Sequence, residues 1–233
     1  MNHVKNQDMT QTAHAACESC PTKDAGFFCS LSDEISKTIE HIKIDSKYKA
    51  GQSIYTTDSQ PEGLYSIREG VVKIELLTPQ GHVNIVNFVG AGGLLGYRSF
   101  FKNEPHLTTA VAVEDCVISF LPAADVKKLF ECHRELTLKL ISKLADDVKE
   151  AEIKWLNQIN KSAPARIAEA ILFLDEHFHS VQWTRKEIAE WAGTTPETVI
   201  RTLSTLESDG LIQKNVKNFT ILNRTALNER SFK

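Results

Sequence analysis

The sequence predicts an α+β chain in three parts: an amino-terminal antiparallel β-roll, a long dimerisation helix, and a carboxy-terminal winged helix-turn-helix. Three observations predict it. From about residue 48 to 121, short apolar–polar alternations are separated by glycine turns at roughly ten-residue spacing. After Pro122, almost forty residues run without glycine or proline. The last seventy or so carry dense helix start and stop signals, followed by two strand-like stretches around a polar loop.

In the first part, Leu64, Ser66 and Arg68 alternate with Tyr65 and Ile67, and Val111 and Val113 with Ala112 and Glu114, the period of two of half-buried strands. Lys49-Ala50-Gly51, Glu69-Gly70, Pro79-Gln80-Gly81 and Gly90-Ala91-Gly92-Gly93 supply the turns. Short strands so joined close as an antiparallel sandwich or barrel, a sensory or binding-type domain. The expected division is a cysteine-containing arm over 1–30, the β-roll over 31–130, the helix over 131–160 and the winged domain over 161–233.

In "AADVKKLFECHRELTLKLISKLADDVKEAEIKWLNQINK", Leu136 or Leu140 is followed by Ile141, Leu144, Val148, Ala151, Trp155 and Gln158 at alternating spacings of three and four. That is the narrow seam of a coiled coil rather than a broad core face. A helix lying on its own β domain is the alternative; the length and narrow stripe favour a symmetric two-helix dimer interface. Cys132, near its start, reads as a core residue. Pro164 suits the first turn of the next helix, which leaves 161–163 as a hinge.

Three helices follow, near 164–178, 184–192 and 195–209. Thr184 and Glu187 form a capping box, Ile188, Ala189 and Ala192 point inward, and Gly193 ends the helix. Thr194 or Thr195 caps the next, with Pro196 in its first turn and Thr198 beside it. Val199, Leu203 and Leu206 share one face, so Glu197, Arg201 and Ser204 point the other way, with Ile200 on the flank. An arginine there can fork onto guanine, a glutamate can accept from the cytosine amino group, and an isoleucine can meet a thymine methyl. Equally, Glu197 can complete a capping box and form an ordinary i,i+4 pair with Arg201. Arg185, Lys186, Lys214 and Lys217 suit phosphate contacts, or plain solvation.

Composition narrows the classes. The net charge of −3 is spread evenly, with 17 basic and 21 acidic residues over 1–160 against 10 and 9 over 161–233, so any nucleic-acid binding rests on local placement of charge. Residues 1–16 are polar throughout and no run of about 18 apolar residues occurs, which argues against a signal peptide and a membrane span and for the cytoplasm. A cupin-like enzyme would need clustered histidines and acids; His82 and His106 stand apart on expected loops.

The order of β domain, long helix and winged helix, and above all "TRKEIAEWAGTTPETVIRTLSTLESDGLI", resembles the CRP/FNR family of bacterial transcription regulators over about residues 17 to 228. The resemblance implies a cyclic-nucleotide-binding-like β-roll and a homodimer on a pseudo-palindromic site in double-stranded DNA. It also implies an RNA polymerase partner, and base-reading roles for Glu197 and Arg201. In the FNR branch a serine usually precedes that arginine; here Ile200 stands there, so the operator is left open.

The resemblance also bears on the signal. Where cyclic-AMP members hold the ribose with a glutamate and the phosphate with an Arg-Ser pair, "GLLGYRSFFKNEPHLTTAVAVED" has Tyr97 after Gly96, and Leu107-Thr108. Arg98 could reach a phosphate only from another direction, and cyclic AMP is not expected. In "CESCPTKDAGFFC", Cys17, Cys20 and Cys29 resemble the cysteine run with which FNR-like members hold a [4Fe–4S] cluster. The distant fourth cysteine of that branch falls at Ser119 here, three residues before Pro122; Cys116 is the nearest thiol, as fourth ligand or as a small core residue. With five cysteines in all, complete pairing is impossible. Zinc held with His14, a thiol–disulfide switch, inert packing, and an unknown small molecule beneath "GAGGLLGYRSFF" remain open beside the cluster.

Overall fold

The computed structural model describes residues 26–28, 31–215 and 219–232. The chain forms two compact units, one comprising Met1–Ile74 with Phe88–Thr137 and the other Glu75–Asn87 with Leu138–Lys233.

The first unit opens with α1 (Asp33–Ile42), acidic in its first turn and buried along Ile35 and Ile39. Eight strands follow: β1 (Ile44–Tyr48), β2 (Ser53–Tyr55), β3 (Gly63–Glu69), β4 (Val72–Leu77), β5 (Val83–Val89), β6 (Leu94–Leu95), β7 (Thr109–Ala112) and β8 (Cys116–Pro122). The short α2 (Tyr97–Lys102) lies between β6 and β7, and α3 (Ala123–Cys132) follows β8. The strands make two four-stranded sheets, ordered β1-β8-β3-β6 and β2-β7-β4-β5. This is the antiparallel β-roll expected from the turn spacing. Leu64, Ile67, Val72, Leu94, Ile118 and Leu121 are among its most deeply buried residues.

The alternation holds in β7, where Ala110 and Ala112 face inward and the larger Val111 is half-buried. It fails in β3: Gly63 and Leu64 are both buried. β3 is an inner strand, with α2 and α3 packed on it, so both of its faces are covered.

The helical stretch after Pro122 is broken in two. His133 adopts extended backbone (φ −126°, ψ 95°), separating α3 from α4 (Arg134–Asn160). Cys132 ends α3 and is exposed, which corrects its expected place in the core. Leu136 and Leu140 are buried within the chain, so the exposed stripe begins at Ile141 and continues through Val148 and Ala151 to Trp155, with Leu144 half-buried. Ile141, Val148 and Trp155 are 57%, 57% and 64% exposed, and Leu138, Leu156 and Ile159 widen the stripe. Apolar residues that exposed on one helix call for a covering partner.

The second unit gathers the tip of the β4–β5 hairpin, α4 and the carboxy-terminal elements: α5 (Ala163–Phe178), α6 (Arg185–Ala192), α7 (Pro196–Ser208), β9 (Ile212–Lys214), β10 (Phe219–Ile221) and α8 (Arg224–Arg230). Ser162 caps α5, accepting from the Ala165 N–H, with Pro164 in the first turn. α8 follows the two strands as a helix beyond the three expected from the sequence. Asn223 caps it, and three ion pairs from two arginines pin it: Arg224 to Asp175 and Glu176 of α5 at 2.8 and 2.9 Å, and Arg230 to Asp209 at 2.6 Å. Ile167, Ile171, Leu174, Ile188, Val199, Leu203 and Leu227 form the core beneath.

Candidate nucleic-acid interface

The reading face is built by two caps and a braced turn. At the start of α6, Thr184 Oγ1 accepts from the Glu187 N–H at 3.1 Å and Glu187 Oε2 accepts from the Thr184 N–H at 3.0 Å, the reciprocal capping box. Gly193 ends α6 in the left-handed region (φ +62°), and a Cβ there would come within 2.7 Å of Gln158 Oε1. Gln158 is therefore not part of the exposed stripe. It donates to the Ala192 carbonyl at 3.3 Å. Arg166 of α5 completes the brace, donating from Nε to Ala192 O at 2.8 Å, from Nη2 to Gly193 O at 3.1 Å and from Nη1 to Lys161 O at 2.7 Å. The carbonyls that a helix leaves unpaired at its end are thus fixed by a guanidinium. Nothing in the local pattern around Arg166 signals this, because its partners lie up to 27 residues away.

α7 then starts at a fixed angle. Thr195, not Thr194, is its cap, accepting from the Thr198 N–H at 3.3 Å, with Pro196 as the first helical residue. Val199, Leu203 and Leu206 are buried, while Glu197, Ile200, Arg201 and Ser204 are exposed. Thr202, beside Leu203, is buried as well. Arg201 Nη2 lies 3.4 Å from Thr198 Oγ1, and the residue is exposed. The Glu197 carboxyl is held below the usual glutamate range by a backbone N–H, then by the Thr195 hydroxyl and the Arg201 charge, so it stays an acceptor at neutral pH.

The supporting cations differ. Lys186 is exposed and 3.6 Å from Glu190, Arg185 is half-buried, and Lys214 is committed. Its ammonium pairs with Glu207 at 2.8 Å and donates to Ser204 Oγ at 3.1 Å, which ties β9 to the flank of α7. To meet a phosphate, Lys214 would have to leave Glu207 and Ser204. Lys217 lies outside the described residues. Beside α7, a hollow of about 470 Å³ is lined by Ser162, Thr198, Arg201, Thr205 and Arg230, among others.

In the β-roll, Ser119 Oγ donates to Asp45 Oδ1 at 2.5 Å, and Arg68 Nη1 to Asp45 Oδ2 at 2.8 Å. Cys116 is 2% exposed, and its Sγ donates to the Val71 and Glu114 carbonyls. Burial pushes its thiol up to about 11. Gly70 packs against that sulfur, where a Cβ would sit 2.6 Å away. Cys17, Cys20, Cys29 and His14 lie outside the described residues. In the stretch from Gly96 to Thr108, Tyr97 and Thr108 are buried, while Arg98 and Leu107 are exposed. His106 is buried and stacked on Tyr55, ring centroids 4.0 Å apart, and His82 lies exposed in the β4–β5 turn.

Residues 45–133 match the cyclic nucleotide-binding domain family, and residues 165–230 match the Crp-like helix-turn-helix domain. A β-roll followed by a helix-turn-helix whose second helix bares a carboxylate and a guanidinium defines a DNA-binding transcription regulator. The two matches, in this order, place the chain in the CRP/FNR family, whose members bind DNA and function as dimers. The chain is 26% identical over 204 residues to the fumarate and nitrate reduction regulatory protein of Escherichia coli K12, covering 84% of this chain and 80% of that one. It is also 26% identical over 206 residues to the Vibrio cholerae protein of that name, covering 84% and 81%. FixK2 from Bradyrhizobium japonicum shares the fold at a TM-score of 0.73 and 24% identity, over 81% of this chain and 96% of that one. So does the c-di-GMP responsive regulator CLP of Xanthomonas campestris, at 0.72 and 16%, over 82% and 99%. No helix among the described residues is long and apolar enough to cross a membrane.

Proposed function

We propose that the chain acts in the cytoplasm as a homodimer joined along Ile141, Leu144, Val148, Ala151 and Trp155, reads a pseudo-palindromic duplex with Glu197, Ile200, Arg201 and Ser204, and answers oxygen or redox state through Cys17, Cys20 and Cys29. The observation that carries the DNA reading is α7 itself, where the buried Val199, Leu203 and Leu206 hold the four exposed residues on one rigid face. Two-fold symmetry about α4 sets two such helices one DNA turn apart. RNA polymerase is the further partner that the family resemblance suggests.

The signal rests on the three amino-terminal thiols and on likeness to the fumarate and nitrate reduction regulatory proteins. Cys116 does not fit a ligand role as it is placed, because its thiol is buried and faces the Val71 and Glu114 carbonyls, which it would have to leave. Ser119 is occupied with Asp45. A [4Fe–4S] cluster, which would supply oxygen-labile iron–thiolate bonds, would rest on Cys17, Cys20 and Cys29 with a fourth ligand other than Cys116.

The test is anaerobic purification with iron, sulfide and zinc quantitation, and duplex binding before and after air. Iron and sulfide that vanish in C17S/C20S, with binding lost in air, support the cluster. Zinc, or thiol oxidation alone, moves the signal to metal or disulfide chemistry. Air-insensitive binding without metal removes the redox reading and leaves an unidentified small-molecule effector.

A further inference from the structure

One half-buried cation joins three elements of the second unit. Lys154 of α4 immediately precedes the exposed Trp155, yet its own ammonium is turned inward, donating to the Ile85 carbonyl at 3.0 Å and reaching Val86 O at 3.4 Å. The same Nζ stands 3.2 Å above the ring of Trp191 on α6. β5 is an edge strand of its sheet among the described residues, so a carbonyl on its outer edge has no neighbouring strand to pair with, and the lysine supplies a donor there.

Trp191 is stacked on Phe173 of α5 at 5.1 Å. It also immediately precedes Ala192 and Gly193, whose carbonyls Arg166 and Gln158 brace. The ammonium therefore sits at the root of the turn that launches α7. Burial pulls its pKa down to about 7, against the pull of Glu169 on α5, itself held by Asn157 and Lys161. An apolar side chain of similar length would fill this space without that desolvation cost. The charge is satisfied only while the hairpin tip, α4 and α6 all keep their places.

We propose that Lys154 is a positioning residue that couples the tip of the β4–β5 hairpin to the entry of the recognition helix. The hairpin is continuous with the β-roll through β4 and β5, so a shift of its tip along α4 either withdraws two acceptors from the ammonium or draws Trp191 after it. By reciprocity, fixing α7 on DNA must steady the hairpin. The coupling rests on the DNA-binding reading, but part of its test does not.

Hydrogen exchange on the full-length protein decides it. In K154M without DNA, amides of Val83–Val86 and Arg185–Ala192 are expected to exchange about tenfold faster together, the order set by losing a desolvated cation–π contact and hydrogen bonds to a charged group. With a duplex selected from a random pool by the wild-type chain, the hairpin amides slow in wild type and K154R, and do not slow in K154M. If K154M does not fold, W191L removes the same contact from the other side. Unchanged exchange in the DNA-free arm, or a DNA effect that persists in K154M, overturns the proposal. Failure to select any duplex overturns the DNA reading instead, and leaves the DNA-free arm to judge Lys154.

Discussion

The β-roll and the reading head each pair an acid with an arginine, and they place the pair on opposite sides of their surfaces. Asp45 and Arg68 are sealed in, with side chains 3% and 12% exposed, and Ser119 and Lys43 complete the ring around the carboxylate. Glu197 and Arg201 stand on the outer face of α7, tied only within the helix's first turns, to a backbone N–H and the Thr195 hydroxyl for the acid and to the Thr198 hydroxyl for the arginine. The same chemical groups do different work. Buried and saturated with partners, the first pair specifies how β1, β3 and β8 meet; exposed and under-used, the second pair has donors and an acceptor left for another molecule.

The largest expected effect breaks the buried pair. D45A leaves Arg68 without its counter-charge in the interior, which costs about 3–5 kcal/mol for a buried pair broken from one side. The variant is expected to lower the unfolding midpoint of the β-roll sharply or to be recovered insoluble; thermal denaturation measures it. A loss under about 1 kcal/mol would mean that water reaches Arg68 and that the pair belongs with the surface ones.

R201A is the mirror experiment. Stability should stay within about 0.5 kcal/mol, as for exposed residues without special contacts. Binding should lose about 1–3 kcal/mol per half-site, with relaxed preference at one base pair of each, because a bidentate guanine contact is gone. Anisotropy titrations against the selected duplex and against single-base variants read both quantities. Equal weakening on every sequence would demote Arg201 to a phosphate contact.

The two pairs also differ in how far they could be read in the sequence. α6 and α7 were legible because their signals are local: Thr184 with Glu187, Gly193, Thr195 with Pro196, and an apolar face that turns Glu197 and Arg201 outward by elimination. Nothing local announces the other pair. Ser119 reaches Asp45 across 74 residues, and Arg68 across 23, through the β1–β8 and β3–β8 registers that only the assembled sheet defines. The break at His133 was missed for a related reason, since neither glycine nor proline marks it. The exposed stripe on α4 was legible from Ile141 onward, and its ends were not, because Leu136 and Leu140 are buried within the chain and Gln158 is claimed by the Ala192 carbonyl 34 residues away.

The smallest effect sharpens the comparison at Cys116, a polar group of the roll with no charge partner. Its folded pKa, about 11, lies above the ordinary thiol value of 9.0, so the folded state holds the proton more tightly. Its contribution to stability is complete below pH 9 and is lost as pH rises through about 11. C116A should cost about 1 kcal/mol at neutral pH, the worth of one buried hydrogen bond. It should also flatten the alkaline limb of the stability profile between those values. Thiol labelling of the wild type at pH 8, mapped by mass spectrometry, should leave Cys116 unmodified until the roll unfolds, while the exposed Cys132 reacts at once. Rapid labelling of Cys116 in the folded protein would place its sulfur within reach of solvent, and would restore it to the set of thiols that a metal could draw on.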